Sequence, residues 1–370
     1  MAILLLILLL AWIITPFYLK KALVYQHPDI DDYSIFANRE IKSGQPIPWH
    51  NSPELNQKKI GSSYNEYFRA YGTVAFLVIQ NDSILHEEYW DNYSDSSLSG
   101  SFSMAKSIVS LLIGCLVDEG KIKSLDEPVT NYIDGLKDPG FSKIRIIDLL
   151  TMSSGLEWDE AYSSATSITT QAYYGKDLTA LVSGLKIKEP AGKVFNYQSC
   201  DTQLLSMIVS KASGMHMSDY AALKLWKPMG AEHPALWSLD NAGGIEKAYC
   251  CFNSNARDFA RIGQMLLDSG EFHGNRILSA EYVQKATSPA SWLHDEHGKS
   301  CDYYGYQIWM LNYKGMKINY ARGILGQYIF MIPDKKAVVV RLGHKRSDSR
   351  RNGIPEDIYI YLDAALELLQ

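Results

Sequence analysis

The apolar run Ser107-Ile108-Val109-Ser110-Leu111-Leu112-Ile113-Gly114-Cys115-Leu116-Val117, stopped by Gly120, fits a buried helix, and its first turn carries an unexpected charge. The tetrad Ser103-Met104-Ala105-Lys106 leads into it. A Ser at a helix start is ordinary, because its hydroxyl caps free backbone N–H groups. Glu or Gln three residues later would complete a capping box and match the helix dipole. Lys106 holds that position instead, with its ammonium at the positive end of the helix and beside a core-facing residue. Both effects favour the neutral amine, a proton acceptor. A spacing of three puts hydroxyl and amine on one helix face. A nucleophile with a base beside it is the activation that acyl transfer needs. The pattern alone is weak. Ser183-Gly184-Leu185-Lys186 repeats it without a sustained apolar helix and reads as a loop. The plain alternative is that Ser103 only caps and Lys106 reaches solvent.

With 370 residues the chain can hold one large core or two interleaved domains. A net charge of -5 and the lack of a basic stripe argue against nucleic acid as a partner. Residues 2–19 contain no charged side chain and are rich in Ile and Leu. As a helix these roughly 18 residues would span about 27 Å, close to a hydrocarbon core. Lys20-Lys21 would mark an interface, and neither a basic segment before the run nor a small-x-small cleavage site after it is present. The expectation is an uncleaved, single-pass membrane anchor over residues 1–22, with a cleaved signal peptide or a buried core helix as alternatives. The catalytic part would then lie in the periplasm or elsewhere outside the cytoplasm. Lys20-Lys21 after the span favours the opposite orientation, so the side stays open. The five cysteines are odd in number and lack metal-type spacing. Cys250-Cys251 is expected to pack unbridged in a strand or turn, and no cofactor or metal is called for.

Residues 23–68 read as a polar connector containing Pro46, Pro48 and Pro53. Residues 73–80 and 83–90 flank Asn81-Asp82, a strong β-hairpin signal. Helical periodicity dominates from about 106 to 290, with amphipathic stretches at 146–152, 202–209 and 256–267, the last capped by Ser254 or Asn255. Strands are expected again at 304–312, 317–321, 327–332 and 337–342, before an amphipathic helix from 355 to 369. Strands at both ends with helices between imply an α/β architecture: an antiparallel sheet flanked by helices, with a mainly helical domain inserted. The expected divisions are a catalytic domain at 69–345, made of an α/β lobe (69–100 and 300–370) and a helical lobe (101–299), with the helix of 346–370 packing on the α/β lobe. The cleft between the lobes is the natural active site.

Two further clusters stand beyond the Ser103 helix. Phe195-Asn196-Tyr197-Gln198-Ser199 follows a turn at Pro190-Ala191-Gly192-Lys193, and Ala321-Arg322-Gly323-Ile324-Leu325-Gly326-Gln327 opens a strand. Glycines there allow close backbone approach, for strand packing or for an N–H aimed at substrate. Ser-x-x-Lys, Tyr-x-Ser and a Gly-rich strand opening, in this order, resemble the serine β-lactamase and penicillin-binding-protein superfamily. The chain is most similar to the class C β-lactamase-related hydrolases, above all the 6-aminohexanoate-dimer hydrolases and related esterases, whose second motif reads Tyr-x-Ser. The resemblance covers roughly residues 70 to 345. It includes Leu125-Asp126-Glu127-Pro128-Val129, Ile147-Asp148-Leu149-Leu150-Thr151-Met152-Ser153-Ser154-Gly155-Leu156 and Ser254-Asn255-Ala256-Arg257-Asp258-Phe259-Ala260.

This resemblance implies a β-lactamase/DD-peptidase-like fold and roles for particular residues. Ser103 would be the acylated nucleophile, Lys106 its base, and Tyr197 the proton shuttle to the leaving group. The backbone N–H groups of Ser103 and Ile324 would form the oxyanion hole. Ser199 and Tyr162, with Gly323 and Gln327, would support or bind substrate. β-Lactamases carry Lys-Thr-Gly or Lys-Ser-Gly on the last active-site strand; this chain has neither before Gln327. A small linear amide or ester is therefore the expected substrate. A β-lactamase or D,D-peptidase, or a membrane-anchored sensor acylated by β-lactams without turnover, are the alternatives.

Overall fold

The computed structural model describes residues 12–369. Its centre is a seven-stranded sheet of β1 (His50–Asn51), β2 (Thr73–Gln80), β3 (Ser83–Tyr89), β4 (Trp309–Tyr313), β5 (Met316–Gly323), β6 (Gln327–Ile332) and β7 (Ala337–Gly343), in the order β4-β5-β6-β7-β2-β3-β1. All neighbours are antiparallel except β1 and β3. The β2–β3 hairpin closes as the sequence demands, since Asn81 and Asp82 both adopt positive φ, 48° and 59°.

Side chains alternate between two cores with the period of a strand. Leu77, Ile79, Ile329, Val338 and Val340 face one core, and Phe76, Val78, Phe330 and Val339 the other. Five longer helices matter for the site: α1 (Phe17–Tyr25), α2 (Met104–Asp118), α3 (Ser199–Ser213), α4 (Ala256–Leu267) and α5 (Glu356–Leu368). The first core is filled by α2 and α4, the second by α5 and the helix Ser62–Ala70. Helix α4 lies directly on β2, β6 and β7. Gly263 permits this, because a Cβ there would stand 2.6 Å from Val338 Cγ1 and 2.8 Å from Ile329 Cγ2. Of the two expected caps, Asn255 serves α4, accepting from the Asp258 N–H.

Three expectations are corrected. The membrane anchor expected over residues 1–22 is the first. Residues 1–11 lie outside the described residues, and among the described ones no helix is long and apolar enough to cross a membrane. Proline has no N–H and disfavours helical backbone in the residue before it, so the chain breaks at Thr15-Pro16 and α1 restarts at Phe17 for nine residues. That helix carries Lys20 and Lys21, buries Ala22, and packs against the helix Ile168–Tyr174. Among the described residues the expected spanning helix is not found, and the membrane partner and extracytoplasmic placement that rested on it are withdrawn.

The strand expected at 304–312 begins only at Trp309. Gln307 has φ 56°, and its carbonyl accepts the Ser107 hydroxyl at 2.6 Å, so residues before Trp309 cross the mouth of α2 instead of joining the sheet. Cys250 and Cys251, expected to be unbridged, form a disulfide between adjacent residues. Cys251 sits in the left-handed region, φ 62°, where the chain turns.

The stretch 23–68 is built into the fold. Asn38–Ile41 edges a second sheet, pairing with Ala235–Ser238, which pairs with Phe252–Ser254 and that in turn with Ser99–Gly100. This small sheet delivers the chain to Ser103.

Candidate active site

Ser103 stands where three structures meet. Gly100 N–H donates to the Ile30 carbonyl at 2.7 Å, and Ser101 N–H to the Phe252 carbonyl at 2.8 Å, fixing the approach. Phe102 then turns the chain with φ 43°, a left-handed conformation that a bulky residue keeps only where its surroundings enforce it. From the other side the end of β5 presses in. A Cβ on Gly323 would stand 2.3 Å from the Ser101 carbonyl oxygen and 3.0 Å from Phe102 Cβ. Only glycine admits that contact, and Ile324, which follows it, lines the same cavity as Ser103.

The Ser103 hydroxyl makes no capping bond to α2. Its neighbour is Lys106, which is 1 % exposed. Lys106 Nζ lies 3.2 Å from Ser103 Oγ, 3.0 Å from Ser199 Oγ and 2.9 Å from the Tyr249 carbonyl oxygen. The Tyr197 ring lies 5.1 Å from the same nitrogen and packs on Trp309, 5.3 Å between ring centroids. Ser103, Lys106, Tyr197 and Ser199 are thus brought together from the start of α2 and the start of α3. The second Ser-x-x-Lys pattern is not: Ser183 ends the short helix Leu178–Ser183.

Ser199 is oriented by a residue that motif reading missed. The Glu160 carboxylate accepts four bonds: Ser199 Oγ–H at 2.6 Å, Ser199 N–H at 2.7 Å, Tyr162 O–H at 2.6 Å and Trp158 Nε1–H at 2.7 Å. A carboxylate at the N-terminus of α3 also suits the helix dipole. The only sequence signal is the acidic pair Asp159-Glu160 between Trp158 and Tyr162 in a loop. Tyr249 offers a backbone carbonyl, which no residue type announces.

The remaining expected residues fall in two classes. Tyr162, 44 % exposed, lines the cavity. Gln327 is buried away from it; its amide donates to the Gly343 and Ile324 carbonyls at 2.6 and 3.2 Å and accepts from Gly343 N–H at 3.0 Å. It supports the turn after β5 rather than facing substrate. Arg341, fully buried, adds bonds of 2.8 Å to the Leu325 and Gly326 carbonyls. Arg322 stacks on Trp309 at 3.6 Å and faces a different cavity.

The Ser103 cavity holds about 760 Å³ and has largely aromatic and aliphatic walls, including Tyr71, Tyr173, Tyr174 and Leu325. That volume suits a small organic molecule.

A model of the β-lactamase family matches residues 65–359. The chain belongs to the β-lactamase family. It is 26% identical over 313 residues, 80% of this chain and 79% of the relative, to the 6-aminohexanoate-dimer hydrolase of Paenarthrobacter ureafaciens. Among solved structures it resembles a candidate 6-aminohexanoate-dimer hydrolase from Bacillus anthracis, with TM-score 0.74, 22% identity and 92% of each chain covered. It also resembles a family VIII carboxylesterase, with TM-score 0.64, 16% identity, and 87% of this chain and 99% of that one covered. The protein is a serine hydrolase of the β-lactamase fold.

One buried acid beneath the site gives a pH test. Asp201, in the first turn of α3, is fully buried and accepts from Ser154 Oγ at 2.6 Å. Burial pushes its carboxyl up to about 8. The folded state therefore keeps a proton that the unfolded chain releases at ordinary carboxylate pH. Its stabilising contribution is complete below the unfolded range and is lost as pH rises through about 8. Asp201→Asn should flatten the decline in unfolding midpoint that the wild type shows between neutral-acid and mildly alkaline pH, read by denaturant titration. An unchanged slope would mean that Asp201 is ionised in the fold.

Proposed function

We propose that the chain hydrolyses a small linear amide or ester through an acyl-enzyme on Ser103. The observation that carries this reading is the set of acceptors around Lys106. A neutral amine has two N–H bonds and one lone pair. The Tyr249 carbonyl has no proton to offer, and the Ser199 hydroxyl gives its own to Glu160, so these two take the two N–H bonds. The third contact, from Lys106 Nζ to Ser103 Oγ at 3.2 Å, is the one through which the amine, once neutral, takes the hydroxyl proton.

In the proposed sequence Lys106 accepts the Ser103 proton as Oγ attacks the carbonyl carbon. The oxyanion is held by the N–H groups of Ser103 and Ile324. Tyr197 passes the proton to the leaving amine or alcohol, then helps to activate the water that releases the acid. Tyr162 and Ser199 flank the substrate, and Gly323 with Gln327 shapes the turn that presents Ile324.

The lack of Lys-Thr-Gly on β5 favours a linear substrate over a β-lactam. Arg322, beside that strand opening, is occupied with Trp309 and lines another cavity, and the cations on the wall of the Ser103 cavity are Lys345 and Arg346, which come from a different segment. The relatives named as a dimer hydrolase and a carboxylesterase fit the same substrate class.

A fluorophosphonate label mapped by peptide mass should fall on Ser103. Ser103→Ala should abolish ester hydrolysis with stability nearly unchanged, since its hydroxyl caps nothing. Lys106→Ala should be almost as inactive, because residues acting as a unit are not additive. Tyr197→Phe should lose about 10²–10⁴ in kcat. Activity surviving in the Ser103 variant would exclude the nucleophile assignment. In a substrate panel, p-nitrophenyl esters and linear amides should turn over much faster than nitrocefin; the reverse order would refute the linear-substrate reading.

Glu160→Gln sets an amide N–H₂ among four donors. It should cost about 1.5–3 kcal/mol of transition-state stabilisation, roughly ten- to a hundredfold in kcat/KM. Kinetics like those of the wild type would remove Glu160 from any role in orienting Ser199.

A further inference from the structure

We propose that the Cys250–Cys251 disulfide is a positioning element for Lys106, so that turnover depends on that bond being closed. The inference rests on the Ser103–Lys106 reading above. Two bonds from a four-residue segment hold the candidate centre. The Tyr249 carbonyl takes a hydrogen of Lys106 Nζ at 2.9 Å, and the Phe252 carbonyl takes the Ser101 N–H at 2.8 Å, two residues before Ser103. Between these two carbonyls stand only Cys250 and Cys251. Their ring ties the base and the Ser103 loop into one rigid piece.

The local backbone needs that tie. Cys251 occupies the left-handed region, where a side-chain-bearing residue remains only when its surroundings over-determine it. The Cys251 carbonyl is held by Ser238 N–H and Asn253 Nδ2, both at 2.9 Å, so the downstream half is fastened twice. Upstream, the Ala248 N–H is anchored on Gln203 Oε1 at 3.0 Å, but between it and the ring there is, besides the Lys106 bond to the Tyr249 carbonyl, only a long bond from Cys250 N–H to the Lys247 carbonyl at 3.3 Å. With the ring open, the Tyr249 carbonyl is the part free to turn. Lys106 then loses one of the two acceptors that hold its amine beside Ser103.

Cys250 lines the Ser103 cavity, so a small reductant can reach the bond from the substrate side. The other cysteines, Cys115, Cys200 and Cys301, are free and buried, leaving one bond to reduce. A dithiol supplies two electrons and two protons. The Sγ–Sγ bond breaks, Cys250 and Cys251 become thiols, and the dithiol closes into its own disulfide.

The test uses the full chain with a p-nitrophenyl ester, before and after dithiothreitol, with the bond state read by alkylation and peptide mass and the fold by circular dichroism. Reduction should lower kcat about ten- to a hundredfold, as small displacements of reacting groups do, while KM stays within about twofold. Reoxidation should restore the rate. Cys250→Ala/Cys251→Ala should match the reduced enzyme and ignore the dithiol. The proposal is overturned by an open pair in air-oxidised protein, by an unchanged kcat on reduction, by a change confined to KM, by loss of fold on reduction, or by a dithiol response that persists in the double variant. An oxidised wild type without esterase or amidase activity would instead fail the hydrolase reading, and this inference with it.

Discussion

A lysine that is almost wholly out of water must have every N–H answered, and the candidate centre is organised around that requirement. Lys106 finds its acceptors on two other segments, the start of α3 and the turn before Phe252–Ser254. Each is itself tied down: Ser199 by Glu160, and the Tyr249 turn by a disulfide and the small sheet. Satisfying one buried amine thus fixes the mutual placement of parts that are far apart in the chain.

The opposite wall follows a similar economy. In the proposed reaction the turn after β5 presents the Ile324 N–H to Ser103 with no side chain intervening. Gly323 removes the side chain, Leu325 and Gly326 take left-handed conformations of 62° and 84°, and Gln327 with Arg341 saturates the exposed carbonyls. Two buried polar side chains are spent on shaping a turn that itself carries no reactive side chain. A preorganised N–H is valuable because it needs no rearrangement as charge develops.

Much of this was readable in advance. The hairpin at Asn81-Asp82, the cap at Asn255 and the strands at 327–332 and 337–342 follow from local signals, turn chemistry and period-2 alternation. The Ser103, Lys106, Tyr197 and Gly323 clusters were visible as motifs because each needs a particular side chain, or none. Where local signals misled, a specific contact intervened. Pro16 broke an apolar run that hydropathy alone read as a span. The carbonyl of Gln307 was taken by Ser107, which kept its segment out of the sheet. Adjacent cysteines close a ring at a turn where Cys251 is left-handed, a conformation no local signal announces.

By itself the sequence determined which residues are chemically able to act and which elements carry them, since propensity, period and motif are properties of neighbouring residues. Only the tertiary structure decided what completes the site. Glu160 and the Tyr249 carbonyl are 39 and 143 residues from the groups they serve. An acid in a loop and a main-chain oxygen look the same in any sequence. What distinguishes them is burial beside an unanswered donor, which exists only once the chain has closed.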